Sequence, residues 1–134
     1  MMITGESLIG GQAVKGTGAA FRAYNPSLQQ SMDPEFTTAD IDQIDQACRL
    51  AEAAFDTFRT LSDEKRAVFL ETVGEQIMAL GDVLVERVMA ESGLPRARVE
   101  GERGRTVGQL KLFANLLREG PWNDVRIDKA LPDR

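Results

Sequence analysis

Histidine is absent from this sequence, and cysteine occurs once, at Cys48. The first absence removes the commonest general base and the commonest metal ligand. Neither a Ser-His-Asp nor a Cys-His arrangement can be assembled from these residues alone. A single cysteine excludes an intrachain disulfide framework and makes a reducing, cytoplasmic setting the default expectation. No run approaches the ~18 apolar residues of a membrane span. The start, MMITGESLIGG, lacks the basic and apolar regions of a signal peptide. Positive charge is in deficit: 16 Lys and Arg against 21 Asp and Glu leave a net charge of -5. Such a chain has no general attraction to phosphate backbones, so neither nucleic acid nor a membrane is an expected partner.

What is present reads as globular. The 134 residues are 43% hydrophobic and 28% charged, a balance that can fill one ordinary domain and not two. Residues 1–36 read as a β-hairpin region. Ser7-Leu8-Ile9 and Gln12-Ala13-Val14 flank Gly10-Gly11, the pair that supplies the positive φ values of a two-residue turn. Phe21-Arg22-Ala23-Tyr24 alternates apolar and polar residues and stops at Asn25-Pro26, a turn pair. Pro34 is expected to close a polar connection.

The pattern then changes to a helical period, which predicts about four α-helices over residues 37–120. Thr37 or Thr38 is the expected N-cap of the first, with Asp40 in its first turn. Ile41, Ile44, Cys48, Ala51, Phe55 and Phe58 recur three and four apart, as one apolar face running to about Arg59. Ser62 caps the second helix. Its expected inner face is Phe69, Val73, Ile77 and Leu80, and Gly81 ends it. Leu84, Val85, Val88 and Met89 belong to a short third helix stopped by Gly93. Pro95 fits the first turn of the fourth, which turns Leu110, Phe113, Leu116 and Leu117 inward and ends at Gly120-Pro121. Residues 121–134 are a polar linking tail. Three short strands make a poor sheet unless others join them, so the chain reads as part of something larger.

Few residues carry chemistry. Gly101-Glu-Arg-Gly104-Arg105-Thr106 has the wrong glycine spacing for a phosphate loop, has arginine where lysine is needed and lacks a preceding apolar strand. Its G-x-x-G spacing is also that of a nucleic-acid clamp, but Glu100 and Glu102 flank it. The plain alternative is a solvated helix turn with Glu102 and Arg105 paired at i,i+3. Two glycines within a helix cost ~1 kcal/mol each relative to alanine. That cost leaves two readings open: close packing of another backbone, or contact with a ligand channel or partner. Cys48 lies mid-helix without the cations that stabilise a thiolate, so a small buried residue is the expectation. Asp40, Asp42 and Asp45 lack the spacing of a calcium loop. No metal ligands are assigned.

The order of these features resembles a known family. Phe-x-x-Tyr-Asn-Pro is followed by Ala-x-x-Ala-Phe at Ala51 to Phe55, Lys65-Arg66-Ala67, and Glu91-Ser92-Gly93-Leu94-Pro95. This series is similar to the N-terminal portion of aldehyde dehydrogenases. The segment LPRARVEGERGRTVGQLKLFA resembles most the NADP-linked branch acting on α-ketoglutaric semialdehyde (2,5-dioxopentanoate). The resemblance implies an α/β parent with a Rossmann-like cofactor domain, of which residues 1–134 form the N-terminal part. It implies NADP or NAD as cofactor, a small-molecule aldehyde as substrate, a homo-oligomer, and the remainder of the parent chain as the first partner of this segment. The family's nucleophilic cysteine, glutamate, asparagine and glycine-rich nucleotide turn match no position here. No catalytic or cofactor-binding residue is therefore assigned, Cys48 included, and these residues alone are expected to be inactive.

The resemblance also implies one substrate contact. In the family the helix after this Gly-x-Pro motif lines the substrate entry, and counting back from Phe113-Ala114 places Arg105 there, with Arg103 and Gln109 as the other candidates. A guanidinium suits a distal carboxylate. The competing expectation is a non-enzymatic helical interaction or regulatory module.

Overall fold

In a computed structural model, residues 3–120 and Asp124 are described. Four strands precede four helices: β1 (Ser7–Ile9), β2 (Gln12–Val14), β3 (Ala20–Asn25), β4 (Gln30–Thr37), α1 (Ile41–Arg59), α2 (Asp63–Ala79), α3 (Gly81–Ser92) and α4 (Arg96–Glu119). The expected tail falls outside the described residues, Asp124 excepted. The chain divides into two compact units interleaved in sequence. Of the described residues, one unit contains those up to Leu61 together with Leu80–Glu102; the other contains Ser62–Ala79 and those from Arg103 onward.

In the first unit, β1 and β2 pair antiparallel, with Ile9 opposite Gln12. The two residues between them, Gly10 and Gly11, have φ of 60° and 78°, the conformation that this shortest of hairpin turns requires. β3 and β4 form a second antiparallel pair. β3 ends where the Asn25 side chain turns back to accept hydrogen bonds from the backbone N–H groups of Ser27 and Leu28, each at 3.0 Å.

The expected polar connection at Pro34 is instead part of strand β4. Arg22 pairs with Glu35 and Ala23 with Met32, so Asp33 and Pro34 form a bulge without ladder partners. Proline has no N–H to give a ladder, and a bulge is one of the few places in a sheet where that costs nothing. The Asp33–Pro34 bond is cis. Arg22 pairs with the Asp33 carboxylate, and Arg87 Nη1 donates to the Asp33 carbonyl at 2.5 Å. α3 thereby reaches the hairpin that it packs against through β3.

α1 starts one residue beyond Asp40, which is its N-cap in place of the expected threonines. Asp40 Oδ1 accepts from Gln43 N at 2.8 Å, and Gln43 Oε1 accepts from Asp40 N at 3.1 Å, a reciprocal capping box. Thr17 donates to the other Asp40 oxygen. That hydroxyl, then the Gln43 amide, holds the Asp40 carboxyl below its ordinary value. Gln43 Nε2 also donates to the Lys15 carbonyl. α1 therefore turns its Gln43 and Ala47 side toward the hairpin, and the Ile41 to Phe58 face lies outward. No α1 residue is buried; Ile41 is 76% and Phe55 63% exposed. Cys48 is exposed too, against expectation, because it belongs to that outward face.

α3 follows its sequence pattern. Val85 is fully buried, and Leu84, Val88 and Met89 are half-buried. Gly93 ends it with φ of 70°, donating its N–H to the Met89 carbonyl.

In the second unit, Ser62 Oγ accepts from Lys65 N at the start of α2. The buried residues of α2 are Ala67 and Gly74, while Phe69, expected inward, is exposed. The close approach explains the choice. A Cβ on Gly74 would lie 3.4 Å from Val107 Cγ1 on α4, so small residues carry the α2–α4 contact. Val107 and Ala114 are the buried residues on the α4 side. Arg118 Nε and Nη1 lie 2.8 and 2.6 Å from Glu64 and Glu71 carboxylate oxygens of α2.

Candidate functional site

The residues that bear on function lie along α4. A buried or half-buried stripe runs Arg96, Val99, Arg103, Val107, Leu110, Ala114 and Leu117, at the three- and four-residue spacing of one helix face. Arg103 is thus on the inward line and Arg105 is not. With roughly 100° per residue, Arg105 stands about 160° from the middle of the buried stripe, and Gln109 follows it one turn later. Both are exposed. The structure brings Arg105 and Gln109 onto one face and separates Arg103 from them.

The glycines share that outward side. A Cβ placed on Gly101, Gly104 or Gly108 would meet nothing within 4 Å. Close packing against another described backbone is therefore not what these glycines serve. Instead the surface at these three glycines, to either side of Arg105, is open. The stretch is mid-helix, with no strand-to-helix turn at its start. That excludes it as a phosphate loop, as an extended clamp and as the glycine-rich turn of a dinucleotide site. This stretch therefore lacks the geometry that holds the pyrophosphate of NAD or NADP.

Charge pairing distinguishes the arginines of α4. Arg96 reaches Asp82 at 2.7 Å, Glu100 at 3.3 Å and Glu86 at 3.6 Å. The contacts with Asp82 and then Glu100 hold its guanidinium protonated above the ordinary range. Arg118 is engaged by Glu71 and Glu64, and is stabilised as a cation still more strongly. Glu102 pairs with Arg98 at 2.7 Å, not with Arg105 as the i,i+3 spacing suggested. An i,i+4 pair with Arg98 closes as readily as an i,i+3 pair, and here it leaves Arg105 with no ion pair among the described residues.

Two recesses adjoin this helix. One, of about 430 Å³, is lined by Gly108, Lys111, Leu112, Asn115, Leu116 and Glu119. The other, of about 410 Å³, is almost wholly apolar and lies among Leu70, Leu110, Phe113, Leu116 and Leu117. Neither contains Arg103, Arg105 or Gln109. Phe113 is 51% exposed, so part of the expected inward face forms the wall of an open apolar recess. The recess could not be foreseen from spacing, which shows that leucines share a face but not whether that face is covered. Among the described residues, no three His, Cys, Asp or Glu side chains are grouped to hold a metal.

This face can hold an anion through one guanidinium and admit a ligand close to the helix backbone. Comparison with known proteins supplies the context. The profile of the aldehyde dehydrogenase family matches residues 13–130. The chain belongs to the aldehyde dehydrogenase family. It is 49% identical over 135 aligned positions to alpha-ketoglutaric semialdehyde dehydrogenase 2 of Azospirillum brasilense, covering all of this chain and 26% of that one. It is 40% identical to the alpha-ketoglutaric semialdehyde dehydrogenase of Acinetobacter baylyi, over 97% of this chain and 25% of the relative. An N-succinylglutamate 5-semialdehyde dehydrogenase of Paraburkholderia xenovorans is 31% identical over 71% of the chain. The chain thus spans about a quarter of the length of the first two of these curated relatives. The fold agrees: a NAD-dependent benzaldehyde dehydrogenase from Corynebacterium glutamicum superposes with a TM-score of 0.78, over 84% of this chain and 25% of that one, at 24% identity. The two strand pairs and four helices are those of an aldehyde dehydrogenase segment.

Proposed function

We propose that this chain is the N-terminal part of an aldehyde dehydrogenase that oxidises α-ketoglutaric semialdehyde to α-ketoglutarate with NADP or NAD. The observation that carries the substrate is the 49% identity, sustained across the entire chain, to a relative named for that semialdehyde. Nicotinamide use follows from the family and is supported by a structural neighbour described as NAD-dependent. The described residues contribute to substrate choice and not to the chemical steps. They contain no histidine, and their one cysteine is an exposed residue in the middle of α1.

In this reading Arg105 holds the carboxylate at the far end of the substrate, with Gln109 one turn along the same face. The open surface at the glycines lets the substrate approach the helix, and with Glu102 paired to Arg98 no ion pair among the described residues occupies the Arg105 guanidinium, which leaves both its edges available for a bidentate contact. Arg103 belongs to the packed side of the helix and serves less well. A charge-assisted hydrogen bond contributes about 1.5–3 kcal/mol, or roughly 10- to 100-fold. In the complete enzyme, Arg105→Ala should raise KM for the acidic semialdehyde by about that factor and leave a neutral aldehyde of similar length almost unchanged. Equal losses on both substrates would remove Arg105 from the site. The 134 residues by themselves, mixed with semialdehyde and NADP or NAD, should give no reduced nicotinamide.

A further inference from the structure

We draw no further inference here: the strongest candidate, the outward apolar face of α1 that carries Ile41, Ile44, Cys48 and Phe55, is left open among the described residues, and nothing in the structure shows what covers it.

Discussion

Glycine has opposite meanings at two positions only eleven residues apart. Gly93 has φ of 70°, and a Cβ there would also lie 3.3 Å from Pro26 Cγ. Alanine at 93 must adopt a left-handed conformation, which costs roughly 1–2 kcal/mol. Gly104 lies inside a helix with nothing within 4 Å of its would-be Cβ. Alanine there should stabilise the chain by about 1 kcal/mol through helix propensity alone. Urea midpoints of the two variants should therefore move in opposite directions from the parent. A Gly104→Ala variant that lost stability would show that the helix is not open at this point.

At the scale of elements, Arg118 ties α4 to α2. Hydrogen bonds from its guanidinium hold Glu64 and Glu71 below the ordinary glutamate value of 4.5. Groups whose folded values are depressed contribute stability that is complete above the unfolded value and lost as pH falls through the folded ones. The acid side of the stability profile, below about 4.5, should consequently steepen because of these two groups. Arg118→Met should lower the midpoint at neutral pH and flatten that acid limb; an unchanged limb in denaturation curves at several pH values would mean that the pairs contribute nothing. The helices themselves were legible from local chemistry. Ser62 caps its own helix with its side-chain oxygen, and Gly93 and the Gly10-Gly11 turn act through their own backbones, so all of them could be read without knowing distant neighbours. β4 was missed because Pro34 reads as a break unless the bulge that accommodates it is known. The roles of Phe69 and Cys48 were misread for a different reason: a period of three and four marks an apolar face but does not say which neighbour takes it. The pairing of Arg105 was misjudged in the same way, since Arg98 and Arg105 both lie within reach of Glu102 and only the structure chooses between them.

At the scale of the whole molecule, apolar surface is left in the open. Leu8, Ile41 and Phe55 are more exposed than buried, and large patches of this kind make a chain bind apolar probes. The isolated 134 residues should enhance the fluorescence of a hydrophobic dye under native conditions. Phe55→Gln should reduce that signal without lowering helix content by circular dichroism, because no α1 residue is buried. The bulge in β4 has a consequence on another timescale. Asp33 is tied to β3 through its carboxylate and to α3 through its carbonyl, and Arg87 is in turn anchored along α3 by Glu91 at 2.5 Å. A polar link between hairpin and helix thus runs through a residue that the ladder itself does not hold, beside the packing of α3 on β3. Local opening of the hairpin must release α3, so their amide protons should exchange with solvent as one cooperative group. Arg87→Met should divide that group into two, with the β3 amides exchanging first.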